Sequence, residues 1–413
     1  MARRMLNSAI LAVWLALALL GAAGVSERVL YGHQAAAYGS YVVWGLWVSA
    51  YIYFIGLSAG SFLLSSLIYV FEVRELERVG RTSLFVAIIT LPMALLSIWF
   101  DLGRMGRFYR VFTDPNFGSM MAWMVWLYTL YTIVITVELW LALRGDLARW
   151  SLHGGPQGAV GRCLSFSKGP LTERQEERGR SWLKTLAVVG IPLAFAFCGG
   201  VGALFGAVSA RPFWNSQLMP ILFLTGALVS GGALMAFVVT AFWPQWDEEH
   251  QRTVAYLGRV VLGLLLFDIL LEWAEFSVPM WYGVGREYDL LLRILFGEFW
   301  WVFWVLHLGL GTLIPLALLL ARGNRPWAVG LAGLLIAVTF MTVRLNIVIP
   351  SLIESHLEGL QNAFVHPRLV FSYVPSLFEW QVLFFVLAVG SALFFIGRRE
   401  LPLVERRIRK RAS

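Results

Sequence analysis

Three carboxylates share one face of a long apolar segment, and such groups are informative because ionisable residues at bilayer depth are expensive. Asp268, Glu272 and Glu275 are spaced four and then three residues apart, so a helix places them in one row. Three carboxylates cannot all stay ionised in apolar surroundings unless cations pair with them. Arg344 and Arg259 are candidate partners. The row predicts either a proton path or a structural arginine–glutamate network.

Three further ionisable residues lie at or within apolar segments. Asp101 ends the third segment, where it is either solvated or paired with Arg104. Glu138 lies near the end of the fourth segment and either belongs to a proton path or extends its carboxylate to the interface. His307 is the one histidine inside an apolar segment, and we expect a hydrogen-bonded core residue there rather than a ligand.

The supply of metal-binding residues is small. One histidine within the apolar segments cannot hold a pair of bis-histidine haems, and two cysteines, Cys163 and Cys198, cannot form an iron–sulfur site. Glycine-rich nucleotide-binding motifs are also missing from the sequence. We therefore expect no haem, no iron–sulfur cluster and no other metal in this chain.

The elements that must position these residues are membrane helices. Of 413 residues, 59% are hydrophobic and only 14% are charged. These values exclude an ordinary soluble enzyme and a disordered chain. The formal charge of +8 comes from an excess of Lys and Arg. In a membrane protein such an excess reflects the orientation of the spans rather than nucleic-acid binding.

Ten stretches are long and apolar enough to cross a bilayer, which takes about 20 residues each. They cover 7–24, 41–71, 82–100, 119–143, 185–208, 216–243, 254–276, 297–320, 326–349 and 378–397. The first either is a cleaved signal peptide or remains as a helix, and we expect a retained helix. A basic segment at 144–184 is typical of a solvated cytoplasmic loop.

The distribution of Lys and Arg predicts the orientation. If the N-terminus is cytoplasmic, the inside segments hold about three times as many basic residues as the outside segments. Both termini are then cytoplasmic, in a multi-pass protein of the cell membrane. Arg104, Arg107 and Arg110 form an outside cluster that violates this bias. We therefore expect these arginines to have a local role that topology does not explain.

An internal repeat organises the spans. Small residues four apart recur at 56–61 and at 226–231, and in each half the next span ends in a tryptophan followed by a carboxylate. We predict an all-α integral membrane protein with two tandem four-helix bundles and one flanking helix at each end. The predicted units are 1–40, 41–208, 209–350 and 351–413.

Several motifs closely resemble the NrfD/PsrC-like family of membrane quinone-interacting subunits, in its longer ten-span branch with DsrP-, HybB- and HmcC-like members. The resemblance covers roughly 40–400. The motifs are GLSAGS at 56–61, DLGR at 101–104, GGVGALFGA at 199–207, ARPFWN at 210–215, LMP at 218–220, RLNIVIP at 344–350 and YVPS at 373–376 with Glu379.

The resemblance implies a quinone site near the outer face. It implies that Asp101 is the acid beside the quinone and that Tyr51 is a polar contact. Where relatives offer His or Tyr, this chain has Cys198-Gly199-Gly200, which puts one hydrogen-bonding partner in doubt. The implied quinone-binding set is Tyr51, Gly56, Ser58, Gly60, Asp101, Arg104, Gly200, Arg211 and Trp214. A proton path is expected to run through the carboxylate row and two further residues, with the members Glu138, Asp268, Glu272, Glu275 and Arg344.

The resemblance also implies the function. Such chains are membrane subunits of respiratory oxidoreductases that use menaquinone or ubiquinone as substrate and carry no redox cofactor of their own. A ferredoxin-like iron–sulfur subunit is expected at the outer face, with further catalytic or cytochrome subunits beyond it. Whether the chain alone is an enzyme stays open. A secondary transporter or ion-conducting protein is the alternative, although transporter repeats are often inverted and this one is parallel. An inert anchor is a third possibility.

Overall fold

The computed structural model describes residues 2–152, 155–167, 169–243, 246–355, 357 and 359–404, without the side chains of residues 2–10, 74, 156 and 157. Within these residues the chain forms helices and turns but no strand, and ten helices are long and apolar enough to span a membrane. The prediction of an all-α integral membrane protein with about ten spans is confirmed. The helices are α1 Ala2–Tyr31, α2 Leu46–Phe71, α3 Gly80–Asp101, α4 Met120–Trp150, α5 Glu173–Gly206, α6 Met219–Phe242, α7 Glu248–Tyr282, α8 Val302–Arg322, α9 Pro326–Ile353 and α10 Leu377–Glu400.

Polar caps mark where several of these helices begin and end. Ser376 begins α10 with a capping box, in which its hydroxyl accepts from the Glu379 amide at 3.3 Å. Asp247 begins α7 by accepting from the His250 amide at 2.7 Å. Gly283 ends α7 with φ of +64°, a conformation that glycine adopts without strain. Local chemistry therefore fixes helix ends that hydropathy alone leaves vague.

The basic segment 144–184 is largely helical, which differs from the predicted solvated loop. Helix α4 continues to Trp150, a short helix covers Gly155–Ser165, and α5 begins at Glu173. The sequence ERQEERGR that starts α5 consists mostly of good helix formers, so both long helices extend beyond their apolar stretches.

Contacts sort eight helices into two groups. Helices α2, α3, α4 and α5 pack around one another, as do α6, α7, α8 and α9. Helix α1 packs along α10, and α10 in turn contacts α3. The two flanking helices of the sequence thus lie together beside the first group. The domain boundaries stay a prediction.

The two groups meet where α2 crosses α6. A Cβ atom added to Gly231 would lie 2.6 Å from the Gly60 Cα atom, and one added to Gly60 would clash with the Ala227 carbonyl oxygen. Only the absence of side chains lets the two backbones approach this closely. The repeated small-residue motif therefore forms the joint between the groups.

Helix α8 has an unusual winding. Its first part, Val302–Leu313, is π-helical, and its second part, Ile314–Arg322, is α-helical. The Thr312 hydroxyl donates to the His307 carbonyl oxygen at 3.2 Å. Wide turns of this kind are rare and occur frequently at functional sites.

Candidate functional site

A polar site surrounds the end of α3, and Arg28 of α1 holds it together. The buried Arg28 guanidinium donates from Nε to the Phe100 carbonyl at 2.7 Å and from Nη2 to the Leu102 carbonyl at 2.6 Å. These bonds satisfy carbonyl groups that a helix end leaves without partners. The cation beside Asp101 is therefore Arg28, whereas Arg104 is exposed on the following loop.

Three polar atoms meet beside this helix end without regular hydrogen-bond partners among the described residues. They are the Asp101 Oδ1, the Tyr38 hydroxyl, which faces that carboxyl, and the His33 Nε2. The His33 and Tyr38 rings lie 5.5 Å apart. Tyr38 faces the Asp101 carboxyl and His33 faces the backbone at Phe100 and Asp101, but none of these contacts is a regular hydrogen bond, so the place is suited to a further polar molecule.

The electrostatic surroundings fix the protonation of the two loop residues. Burial, reinforced by the charge of Asp101, raises the pKa of Tyr38 far above its usual value, so the hydroxyl keeps its proton and can donate. Burial, reinforced by the positive charge of Arg28, lowers the pKa of His33. His33 is therefore a neutral imidazole at pH 7, able to accept a proton or a hydrogen bond.

Glu379 locks the other side of this site. Its carboxylate accepts from the Ala37 amide at 2.8 Å, from the Leu46 amide at 3.3 Å and from the Tyr373 hydroxyl at very short range. The Trp47 indole donates to the Glu379 carbonyl oxygen at 2.9 Å. One buried carboxylate thus fixes the starts of α2 and α10 and the segment before α2. We name the whole site the outer cluster, after the face that the Lys and Arg distribution predicts for it. Its residues are Arg28, His33, Tyr38, Asp101, Tyr373 and Glu379.

A second polar site lies within the second helix group. It borders a cavity of about 50 Å³, which has room for a few waters. Apolar side chains from α6, α7, α8, α9 and the 207–218 segment complete its walls. We name its polar residues the second-bundle cluster: Asp268, Glu272, Glu275, His307, Arg344 and Asn346.

Each carboxylate of the α7 row has a polar neighbour in this cluster. The Glu272 Oε2 lies 3.3 Å from the His307 Nε2. Asp268 accepts from the Thr225 hydroxyl at 3.0 Å, and Glu275 accepts from the Ser216 hydroxyl at 2.9 Å. His307 is therefore more than a core residue, because it pairs with the predicted row.

Arg344 reaches the same cavity in an aromatic setting. Its guanidinium carbon lies 4.4 Å from the centre of the Phe223 ring and 5.1 Å from that of Phe340. Its Nε and both amide atoms of Asn346 lack partners among the described residues. Arg259, the other predicted cation, is exposed and stacks near Tyr256 instead.

Glu138 lies apart from both clusters, inside the first helix group. It is fully buried, and neither carboxylate oxygen has a partner in the described part of the chain. A Cβ atom on Gly190 would come within 3.1 Å of its Oε1. The interpretation that this carboxylate extends to the interface is therefore wrong.

The other residues of the implied quinone set are spread through the molecule. Half-buried Tyr51 lies near Tyr128, and the buried Ser58 hydroxyl donates to the Ala87 carbonyl at 2.8 Å. Gly56 lies at the α2–α6 joint, and Gly200 packs against Met124.

The ARPFWN segment is bound to the end of α9. Arg211 donates to the Ser351 carbonyl at very short range and to the Glu354 carbonyl at 2.8 Å. The Trp214 indole donates to the Ile347 carbonyl at 2.7 Å. Burial lowers the pKa of Arg211 to about 10, which still leaves it charged at neutral pH. These contacts give the motif a structural role whether or not it also borders a ligand.

The family model described as polysulphide reductase, NrfD, matches residues 36–356. The chain belongs to the NrfD family. A subunit of the selenate reductase of Mesobacillus selenatarsenatis is 34% identical, over 94% of this chain and 92% of that protein. The Hdr-like menaquinol oxidoreductase integral membrane subunit of Archaeoglobus fulgidus is 25% identical, over 89% of this chain and 86% of that protein. Protein NrfD of Escherichia coli is 30% identical, over 69% and 85% respectively.

Sequence reasoning missed four residues of this NrfD-family chain. Arg28 enters the sequence argument only through topology, and His33 and Tyr38 lie in a segment without helical periodicity. His307 is predicted there as a core residue. The buried position of Tyr38 and the half-buried position of His33 carry no local sequence signal, because α3 and α10, which surround them, are distant in the sequence. In the described residues no group of three or more His, Cys, Asp or Glu is arranged to hold a metal.

Proposed function

We propose that this NrfD-family chain binds quinone or quinol at the outer cluster and exchanges protons with it, as a membrane subunit of a respiratory reductase complex. The buried polar atoms of His33, Tyr38 and Asp101, none of which completes a regular hydrogen bond, carry this proposal. Quinone reduction consumes two electrons and two protons, and quinol oxidation releases the same numbers. The Tyr38 hydroxyl is suited to donate to one quinone carbonyl, and Asp101 is suited to give or take a proton. The family and the menaquinol relative support quinone as the substrate.

The electrons need a partner, and the loop after α3 offers a surface for one. Exposed aromatic and basic residues alternate there, the combination that is enriched in protein interfaces. We propose that a ferredoxin-like iron–sulfur subunit with an acidic surface binds here, with catalytic or cytochrome subunits beyond it. The face would be the outer side of the cell membrane, with both termini in the cytoplasm. The exposed residues are Arg104, Arg107, Phe108, Tyr109, Arg110, Phe112 and Phe117.

Protons need a route as well, and the second-bundle cluster is suited to supply one. The Glu272–His307 pair places a carboxylate and an imidazole in direct contact beside a cavity with room for water. We propose that protons pass along Asp268, Glu272 and Glu275, with Arg344 limiting the negative charge of the row. Glu138 would serve a separate branch in the first group.

Quinone binding is the direct test. A fluorescent quinone-site inhibitor, such as an alkyl-hydroxyquinoline N-oxide, is titrated with the full chain in detergent, and menaquinone and ubiquinone analogues then compete. We expect saturable quenching, and about fivefold weaker binding by Tyr38→Phe because one hydrogen bond is lost. Tyr31→Phe, an exposed tyrosine at the end of α1, is the matched control. Binding that is absent from the wild type, or unchanged in Tyr38→Phe, would remove the outer cluster as the quinone site.

The proton route is tested in the intact complex reconstituted in vesicles. Glu272→Gln should cut the pH change per quinol turned over about tenfold or more, because an amide cannot pass a proton. Inhibitor binding at the outer cluster should be unchanged. Glu298→Gln replaces an exposed glutamate just before α8 and should behave like the wild type. A full pH change in Glu272→Gln would leave the row a structural network.

A further inference from the structure

A cavity of about 860 Å³ lies at the face opposite the outer cluster. It is bordered by the end of α2, the start of α3, the end of α4 and the start of α5. Its volume falls in the range of sites that hold small molecules. Neither the outer cluster nor the second-bundle cluster contributes to its walls.

The rim of this cavity is rich in ionisable groups, and several of its cations are already paired. Three acids, Glu72, Glu77 and Glu176, line it together with cations from three helices and the turn before α3. Arg78 pairs with Asp247 and Glu249, Arg81 and Arg149 pair with Asp146, and Lys184 pairs with Glu72. An anion would therefore be bound by the cations outside these pairs. The complete set of rim cations is Arg78, Arg81, Arg144, Arg149, Arg180 and Lys184.

Two of these cations are not neutralised within the chain. No carboxylate of the described residues lies within ion-pair distance of Arg144 or Arg180. The Arg144 Nε donates to the Ser165 carbonyl at 3.2 Å, and its guanidinium lies 5.1 Å from the centre of the Trp140 ring. A neutral carbonyl and an aromatic face hold the cation in place but leave its charge uncompensated. Arg180 is exposed at the rim.

The deeper wall of the cavity is apolar, which distinguishes it from a simple phosphate site. Ile68, Leu141, Ala142 and Leu183 line it below the charged rim. The exposed Trp182 lies on α5 beside Leu183. Tryptophan is enriched at the level of lipid headgroups, so the cavity lies where a bilayer changes from charged to apolar.

We propose that this cavity binds an acidic phospholipid, with the phosphate among the cations and the glycerol and first methylenes against the apolar wall. Basic cavities between membrane helices at the cytoplasmic side are suited to such headgroups. A free phosphate would leave the apolar wall uncovered. An acidic protein segment has no acyl chains to cover the apolar wall. The proposal does not depend on quinone chemistry.

Native mass spectrometry of the full chain in detergent measures binding of phosphatidylglycerol and phosphatidylcholine. We expect phosphatidylglycerol to bind at least about tenfold more tightly. Arg144→Gln combined with Arg180→Gln should remove about tenfold or more of that affinity, because each cation near an anionic headgroup contributes on this scale. Arg174→Gln combined with Arg178→Gln removes the same charge from the exposed start of α5 outside the cavity, and should bind like the wild type.

Arg180→Gln alone is the control for misfolding of the double variant, because Arg180 is exposed. This single variant should lose affinity for phosphatidylglycerol several-fold. Equal affinity for both lipids, or no loss in either cavity variant, would overturn the proposal. So would displacement of phosphatidylglycerol by equimolar inorganic phosphate or by an acidic peptide, since these outcomes assign the cavity to a free anion or to a protein segment.

Discussion

The Asp101→Asn variant is expected to lose quinol-dependent electron transfer by about 100-fold or more, while inhibitor binding changes only slightly. Asparagine has nearly the same shape but cannot take up or release a proton, and general acid–base catalysis contributes about 10²–10⁴ in rate. The Arg28 bonds to the helix end go to backbone carbonyls, so they survive the change. The measurement is turnover of a quinol analogue by the intact complex purified from membranes.

The matched control for this variant is Asp289→Asn. Asp289 is exposed in the short helix Arg286–Leu295 and belongs neither to the outer cluster nor to the loop after α3. It should leave turnover unchanged. Wild-type turnover in an assembled Asp101→Asn complex would exclude this carboxylate from proton exchange, even if Tyr38 still bound the quinone.

A second large effect is expected at the joint between the helix groups, where Gly60→Leu should prevent folding. The atom that a new side chain would strike is the Ala227 carbonyl oxygen, which belongs to the backbone and cannot turn away. Overpacking usually costs about 1–3 kcal/mol even where side chains can adjust. Here two long helices must separate, so we expect most of the protein molecules to be unfolded or aggregated. Gel filtration of the detergent-solubilised chain measures that fraction.

Gly263→Leu is the control for this second prediction. Gly263 lies within α7, and an added Cβ atom would meet nothing within 4 Å. The change adds the same side chain to a spanning helix at an exposed position, so the folded fraction should stay the same. Gly231→Leu should repeat the loss from the opposite side of the joint. A folded, monodisperse Gly60→Leu chain would show that the two backbones need not touch.

The features that could be predicted from sequence are those set by local periodicity. Ten apolar runs correspond to ten helices, and a helical spacing of four and three residues placed Asp268, Glu272 and Glu275 at one cavity. The two glycine motifs likewise predicted close helix packing, because small residues four apart allow two helix backbones to approach each other.

Long-range partners could not be predicted. Arg28 lies 72 residues from Phe100 in sequence, and Glu379 lies 333 residues from Leu46, yet each pair is hydrogen bonded. The π-helical winding around His307 also leaves no clear pattern, because its residues are as apolar as those of an ordinary span. Half of the outer cluster, Arg28, His33 and Tyr38, could not be predicted for the same reason: its members converge only after the helices have packed.

The lock formed by Glu379 has a consequence for how the protein is made. During synthesis, α1, the following segment, α2 and α3 emerge early, but the carboxylate that ties the starts of α2 and α10 together comes more than 270 residues after Asp101. Until the ribosome has delivered that last helix, the amides of Ala37 and Leu46 have no acceptor there. A stalled or truncated chain can contain nearly all of the spans and still lack Glu379, so the outer cluster stays incomplete until translation is almost finished.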